Sequence, residues 1–409
     1  MRKLLLALLP AGLAFIGLIV AISLFRASAH PLQAAVEELI FIDSGQALGI
    51  STSRDVALAD LDGDGDLDAF VANDGTGNRV WLNNGNGLFS DSGQSLGTGK
   101  SYGVALGKLN DDDHLDAFIA NNDGPNRVWL NDGNGFFSDS NQSLGSDPSN
   151  DVALADLDGD TDLDAFVANG SASEKANKVW LNDGNGNFSD SSQSLGTSWS
   201  EAVALGKLDG GTSVDAFVAN GSSSNNSDKV YNNTGGVFSD SGQSLGSDWT
   251  YDVALAHLDG DQHLDAFSAN WFPLPNKVWI NDGNGNFSDS GQSLGNAGST
   301  AVALADVDDD TDVDALVGNF SVDNEVWLND GNGTFTDSGL ALDSNGTWSV
   351  ALGDLDGDGD PDAFIANQGP NEVWINGQPG LPNAVFQVER QTNEDGKEVF
   401  YSASAGNAM

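Results

Sequence analysis

At 409 residues, with 61 acidic against 15 basic side chains, the chain carries a formal net charge of -46 at pH 7. Such a surface repels nucleic-acid phosphates and anionic lipid headgroups, which excludes nucleic acid as a partner, and it attracts divalent cations, calcium first among them. The 51 glycines point to a repeat architecture rather than a packed enzyme, and the absence of cysteine excludes disulfide bracing and thiolate metal sites.

Met1, Arg2 and Lys3 precede an apolar run from Leu4 to Phe25, and Ala27-Ser28-Ala29 fits a small-residue cleavage site. Residues 1–29 therefore read as an export segment, either a cleaved signal peptide with a mature chain from His30 or a retained anchor, since the run is long enough to span a bilayer. Either way the remainder is expected to be secreted or held at the extracytoplasmic cell surface, with membrane contact only through that anchor.

Three phrases then recur in fixed order, seven times each: an apolar stretch such as Val56-Ala57-Leu58-Ala59-Asp60, a pair such as Val80-Trp81 (Val230-Tyr231 in the fourth copy), and a phrase such as Phe89 to Gly97. The equivalent positions Asp60, Lys108, Asp156, Lys207, His257, Asp306 and Asp354 lie 48, 48, 51, 50, 49 and 48 residues apart. Within one unit the pattern predicts four short strands, Asp55 to Leu61, Leu67 to Asn73, Arg79 to Asn83 and Leu88 to Ser92, separated by Gly, Asn and Asp. The first two are apolar on both faces and need cover on both sides. Seven four-stranded units of about 49 residues predict an all-β, seven-bladed β-propeller over residues 36–378, with a linear solenoid as the alternative. The ends favour the ring: the chain opens with a lone fourth strand, Phe41 to Gln46, and the seventh unit stops at Asn376 without one. The first strand can complete the last blade and remove an exposed edge. Residues 379–409 read as a C-terminal tail with a candidate hairpin, Val385 to Val388 with Glu398 to Tyr401.

Between the first two strands of unit one lie Asp60, Asp62, Asp64, Asp66 and Asp68, a tight Gly-containing turn that gathers hard oxygens around one point and suits calcium. The loops at Asp156, Asp158, Asp160, Asp162 and Asp164, at Asp306, Asp308, Asp310, Asp312 and Asp314, and at Asp354, Asp356, Asp358, Asp360 and Asp362 are likewise complete, so about four calcium sites are expected. In the second and fourth loops Lys108 and Lys207 put an ammonium where the first ligand should be. The fifth carries His257 and His263 around Asp259, Asp261 and Asp265, which admits zinc, although histidines in a degraded calcium turn are more often bystanders.

These features resemble the FG-GAP or VCBS-type repeats, whose relatives form the propeller of integrin α subunits. The likeness spans residues 39 to 376 and rests on the D-x-D-x-D-x-x-x-D loop, on Leu67 to Asn73 after it, and on the Asn83-Asn84-Gly85-Asn86-Gly87 hairpin before Phe89. The literal Phe-Gly and Gly-Ala-Pro elements are not evident, which brings the chain nearer the bacterial-style repeats than integrins. The resemblance implies the fold and calcium, not an integrin's ligand.

A G-x-S-x-G phrase at Gly93 to Gly97, repeated at Gly242 and Gly291, imitates a hydrolase elbow. It recurs with the blade, has no helix after it and lacks a histidine partner for each serine, so no catalytic residues are assigned and no enzyme is expected. The repeated Trp81, Trp129, Trp180, Trp279, Trp327 and Trp374 read as packing. Aromatics leading into new blades (Tyr102, Trp199, Trp249, Tyr251, Trp348), joined by Trp271 and Phe272, lie on the face opposite the calcium loops, where they either bind a protein or carbohydrate ligand or wedge the blades. The expected function is a calcium-binding adhesion or ligand-binding module; a carbohydrate-active enzyme or its accessory module is the alternative.

Overall fold

The computed structural model describes residues 39–170, 175–221, 227–342 and 345–377 and the backbone of 399–400. The export segment lies outside these residues. So does the proposed tail hairpin, apart from Val399–Phe400, which pairs antiparallel with Gly107 and Leu106.

Seven antiparallel sheets, one per repeat, make the propeller. In blade 1 the strands are Ser53–Ala59, Asp68–Asn73, Arg79–Leu82 and Ser90–Asp91. The innermost begins and ends two residues earlier than its sequence pattern suggests, because Asp60 and Leu61 already belong to the loop. The second strand is buried along its whole length in every blade, as its two apolar faces require once blades stack on both sides. The outer strand is short and mostly exposed in blades 1 to 3, whereas in blade 6 it runs over Phe335–Leu342. Blade-to-blade cores repeat one arrangement: Phe70 of blade 1 meets Phe137 of blade 2 edge-on at 5.1 Å, and Phe118, Phe217 and Phe267 meet Phe188, Phe287 and Phe335 in the same way.

The ring closes as the chain ends predict. Phe41–Asp43 pairs antiparallel with Glu372–Asn376, in the register Phe41↔Asn376, Ile42↔Ile375 and Asp43↔Trp374, and supplies the outer strand of blade 7. This junction also explains a break in the repeat. In six copies a glutamine reaches the next blade's hairpin: Gln142 Nε2 donates to Gly186 O at 2.6 Å while its Oε1 accepts from Phe188 N at 2.8 Å, and Gln46, Gln94, Gln193, Gln243 and Gln292 make the same pair. In blade 7 no continuous hairpin links the third and outer strands, and the remaining copy, on the outer strand of blade 6, accordingly carries Leu340, packed with Leu39, Phe41 and Trp374.

A second clasp alternates around the axis. Asp55, Asp151 and Asp252, on the innermost strands of blades 1, 3 and 5, accept from Val104, Val203 and Val302 N of blades 2, 4 and 6 at 2.8, 2.9 and 2.9 Å. The same position is Gly103, Ala202 and Ala301 in the even blades. Blade 7 carries Ser349, whose hydroxyl donates to Asp55 at 2.9 Å.

Replacing Gln142 with Leu removes both bonds and leaves the Phe188 N–H and Gly186 carbonyl without partners, at a cost of about 1–3 kcal/mol. Leu340→Gln is also expected to destabilise, because no hairpin there receives the amide. Chemical denaturation of both variants checks the pair: both midpoints should fall.

Candidate metal loops and axial face

Each loop between the first and second strands is built on its ninth residue. Asp68 is buried, and its two oxygens accept from Leu61 N at 3.0 Å and Asn83 N at 2.8 Å. The same two bonds recur at Asp116, Asp164, Asp215, Asp265, Asp314 and Asp362. The asparagine on the third strand then reaches out: Asn83 Nδ2 donates to Leu355 O of blade 7, Asn131 to Leu61 O of blade 1, and so on to Asn376, which donates to Val307 O, at 2.8–3.0 Å all round the ring.

Onto this frame the sequence adds further carboxylates. Asp60, Asp62 and Asp68 each present an oxygen within 4.8 Å of the others, and so do Asp156, Asp158 and Asp164, Asp306, Asp308 and Asp314, and Asp354, Asp356 and Asp362. A fifth triad, Asp259, Asp261 and Asp265, forms in the loop with His257 in first place. The described residues thus hold five acidic triads able to take a metal ion, one more than the count of intact loops suggests. The carboxylate in fifth place substitutes for the missing first one, which a strict reading of the motif misses.

The remaining sequence-predicted ligands are not members of the triads, although Asp64, Asp160, Asp310 and Asp358 lie against Asp62, Asp158, Asp308 and Asp356. Asp64, Asp160, Asp310 and Asp358 accept from the backbone two residues on, at 3.0, 3.0, 2.9 and 3.1 Å. Asp66, Asp162 and Asp312 lie over Gly85, Gly184 and Gly331 of the neighbouring hairpin, where a Cβ would meet their oxygens; Asp360 lies beside Gly377. His114 and His263 occupy the same place over Gly133 and Gly283. His263 Nδ1 lies 2.9 Å from Asp261, and His257 Nδ1 lies 2.9 Å from the His263 carbonyl. The fifth triad contains carboxylates and no imidazole, which fits a hard cation better than zinc. In the second loop Lys108 sits 3.6 Å from Asp113.

Crowding and burial show in the acidities. Burial first, then the neighbouring carboxylates, pushes Asp68, Asp164 and Asp314 up to about 7 and Asp362 to about 8. Asp62, Asp158 and Asp308 are raised for the same reasons. Thr161 and Thr311 hold φ of 80° and 78° in the third and sixth loops, where the first has Gly65 at 100°. A β-branched residue in that region is strained.

The opposite end of the innermost strands forms the axial face. A bulge in each strand turns one side chain to the axis: Arg54, Tyr102, Asn150, Glu201, Tyr251, Thr300 and Trp348. Arg54 lies 3.8 Å over Trp348 and 4.5 Å over Tyr102, and is paired with Asp74 at 2.9 Å. Trp249, Tyr251, Trp348, Phe320 and Trp271 form an unbroken chain of ring contacts with centroids 4.8–6.5 Å apart. Phe320 was not singled out in the sequence, although it follows Asn319 as Trp271 follows Asn270 in blade 5, and that equivalence is the signal that could have found it. Glu201 accepts from Asn150 Nδ2 at 2.8 Å and Trp249 Nε1 at 3.2 Å, and burial raises it to about 7. Of the repeated indoles, Trp81, Trp129, Trp180, Trp279 and Trp327 are buried, as packing requires.

The FG-GAP-like repeat matches residues 60–119, 108–167, 156–211, 257–317 and 306–365, well over half of the chain. The chain belongs to this family. The FG-GAP-like matches omit residues 212–256, which hold most of blade 4, and that blade's loop has Lys207 and Gly211 in place of acidic residues. No curated protein matches the chain. Among solved structures, BBS1N in complex with ARL6DN, soaked with mercury, is similar at 12% identity and a TM-score of 0.58, over 85% of this chain and 99% of that one. The BP39L lectin from Burkholderia pseudomallei is similar at 15% identity and a TM-score of 0.59, over 82% of this chain and 99% of the lectin. At these identities the likeness shows the fold alone. In the FG-GAP-like propeller, the segment Gly93 to Gly97 leads through a bridge at Leu96 into the strand Ser101–Gly107, with no helix after it.

Asp215 makes the frame bonds in a loop with no triad. Asp215→Ala is therefore expected to cost about 2–4 kcal/mol with or without divalent cation, by stranding two buried N–H groups. Asp356→Ala should lower the number of bound ions by one and destabilise only when the ion is present. Melting with and without chelator, together with ion stoichiometry, separates the two.

Proposed function

We propose that this FG-GAP-like propeller is an extracytoplasmic binding or adhesion module, held together by calcium in its loops, that takes a protein or carbohydrate ligand on its axial face and has no catalytic activity of its own. The observation that carries the calcium reading is the set of five triads, each with three oxygens near one point, two of them beside a strained turn at Thr161 and Thr311. Three adjacent carboxylates in a part-buried loop repel one another, and a hard dication with six to eight oxygen ligands relieves the repulsion. With a dissociation constant on the order of 10 µM and about 1 mM calcium outside a cell, each site adds roughly 2.7 kcal/mol. Five such sites match the stability of a typical domain.

The axial face supports the ligand reading. Its aromatic chain supplies flat apolar surface, and Arg54, Asn150 and Glu201 add donors and acceptors beside it, the mixture that recognises sugars and peptide side chains. The lectin among the structural neighbours is consistent with a carbohydrate. Export by the N-terminal segment would place the module where millimolar calcium is available.

Calorimetric titration should give five calcium ions per chain, with a rise in melting temperature that chelator reverses; absence of binding would sink the reading. The chelated protein should lose stability as pH rises from about 4 to about 8. Over that window the unfolded carboxylates have released protons that the folded ones, with acidities near 6 to 8, still hold. Calcium favours the ionised form and should flatten that slope. For the ligand, polysaccharide and protein capture by the wild type, lost in Trp348→Ala with unchanged calcium stoichiometry and no turnover of the captured material, is the expected outcome.

A further inference from the structure

The connections between the second and third strands reach the axial side, and their apolar residues are confined to one sector. Directly after the buried asparagine near the end of the second strand, Asn73 in blade 1, blades 1, 2, 3, 4 and 7 place Asp74, Asn122, Gly170, Gly221 and Gln368. None of those five connections holds an aromatic residue, leucine, isoleucine or valine. Blades 5 and 6 place Trp271 and Phe320 there instead, and continue through Phe272 and Leu274 and through Val322. Packing of the repeat does not call for these side chains, because five blades close the same turn without them. Phe272 is 65% exposed and Val322 49%.

The rings behind these tips form a continuous surface. Trp271 meets Tyr251 at 5.3 Å and Phe320 at 5.9 Å, and Phe320 meets Trp348 at 4.8 Å, with interplanar angles of 35–51°. Glycine in the entering segment of the next blade makes room for them: a Cβ at Gly298 of blade 6 would meet Phe272 at 3.3 Å, and one at Gly346 of blade 7 would meet the Phe320 ring at 3.5 Å. The donors and acceptors Arg54, Asn150 and Glu201 belong to blades 1, 3 and 4, and within the aromatic sector Thr300 is buried and donates to the Thr347 carbonyl at 2.8 Å. A hydroxyl-rich ligand lying on this sector gains few hydrogen bonds for the water it loses, whereas an apolar side chain needs only the rings. Asp248 precedes Trp249 and an exposed Asp323 follows Val322, while residues 246–251, 271–275, 295–300, 320–324 and 346–348 contain no lysine or arginine.

We infer that the sector over blades 5 to 7 docks a protein partner that presents an apolar anchor within a basic surround, which rests on the axial-face reading and narrows its ligand to a protein. The anchor lies on the Trp271 and Phe320 rings against Phe272 and Val322, where covering exposed apolar surface supplies the affinity. Lysine or arginine around the anchor faces Asp248 and Asp323. The net charge of -46 repels an acidic surface and speeds the approach of a basic one. Phe136, 53% exposed in a hairpin beside the metal loops, has no such ring cluster behind it and makes no comparable surface.

The test uses the calcium-loaded chain and three fluorescein-labelled synthetic peptides of equal length. The first has a central tryptophan–leucine pair between lysines, the second the same pair between glutamates, and the third a glycine–serine pair between lysines. Fluorescence anisotropy should show binding of the first, weakening as salt is added, with the other two at least about tenfold weaker. Phe272→Ser and Val322→Ser should each leave the melting temperature unchanged and weaken the first peptide about tenfold. Phe136→Ser should leave its binding unchanged. Equal binding of the two lysine-flanked peptides, or binding that both sector substitutions leave intact, overturns the docking surface. Polysaccharide capture that needs Trp348 while no peptide binds also overturns it but leaves the axial-face reading standing; failure of peptides, proteins and polysaccharides alike removes both.

Discussion

The propeller hangs on a buried carboxylate repeated seven times. Asp68 and its six equivalents each fix two backbone N–H groups, one at the start of their own loop and one at the end of the third strand. That strand end carries the asparagine whose amide crosses to the preceding blade. A single residue type thus sets the loop, the hairpin beside it and the contact between blades. Buried N–H groups left unpaired are costly, so the arrangement admits few alternatives.

The acidic triads are layered on this frame. The loops of blades 2 and 4 keep Asp116 and Asp215 with the same bonds, although Lys108 and Lys207 stand where other loops begin with an acid. The ring therefore has a geometry that does not require an ion in every blade. Where a triad forms, the same buried carboxylate belongs to both frame and triad, so an ion bound there would strengthen the contact between blades as well as the loop. Exposed loop charges alone, in high dielectric, would give little.

Much of this was legible in the sequence. The seven-fold period, the lone strand at Phe41 and the missing strand after Asn376 define a closed ring, and the observed register at Phe41–Asp43 follows from them. The loops were legible as motifs, but the D-x-D-x-D-x-x-x-D pattern does not say what the aspartate in seventh place does. Only the geometry separates Asp60, Asp62 and Asp68 from Asp66, whose side chain packs on Gly85, and shows that Asp259, Asp261 and Asp265 gather without a first-place acid. The axial face was half legible: Tyr251 and Trp348 stand at equivalent positions, and Phe320 stands in blade 6 where Trp271 stands in blade 5, but only the fold brings these rings together.

The clasps at Asp55, Asp151 and Asp252 give the ring a period of two blades rather than one. A donor blade and an acceptor blade alternate, and three such pairs account for six blades. The seventh is out of phase, and Ser349 meets Asp55 at the junction where the two ends of the chain also come together. An odd ring with an even period must contain one such defect, so the array grows or shrinks without new chemistry only by two blades at a time. An eight-bladed relative built on this pattern would close with no special junction, and the chain ends could then lie between any pair of blades.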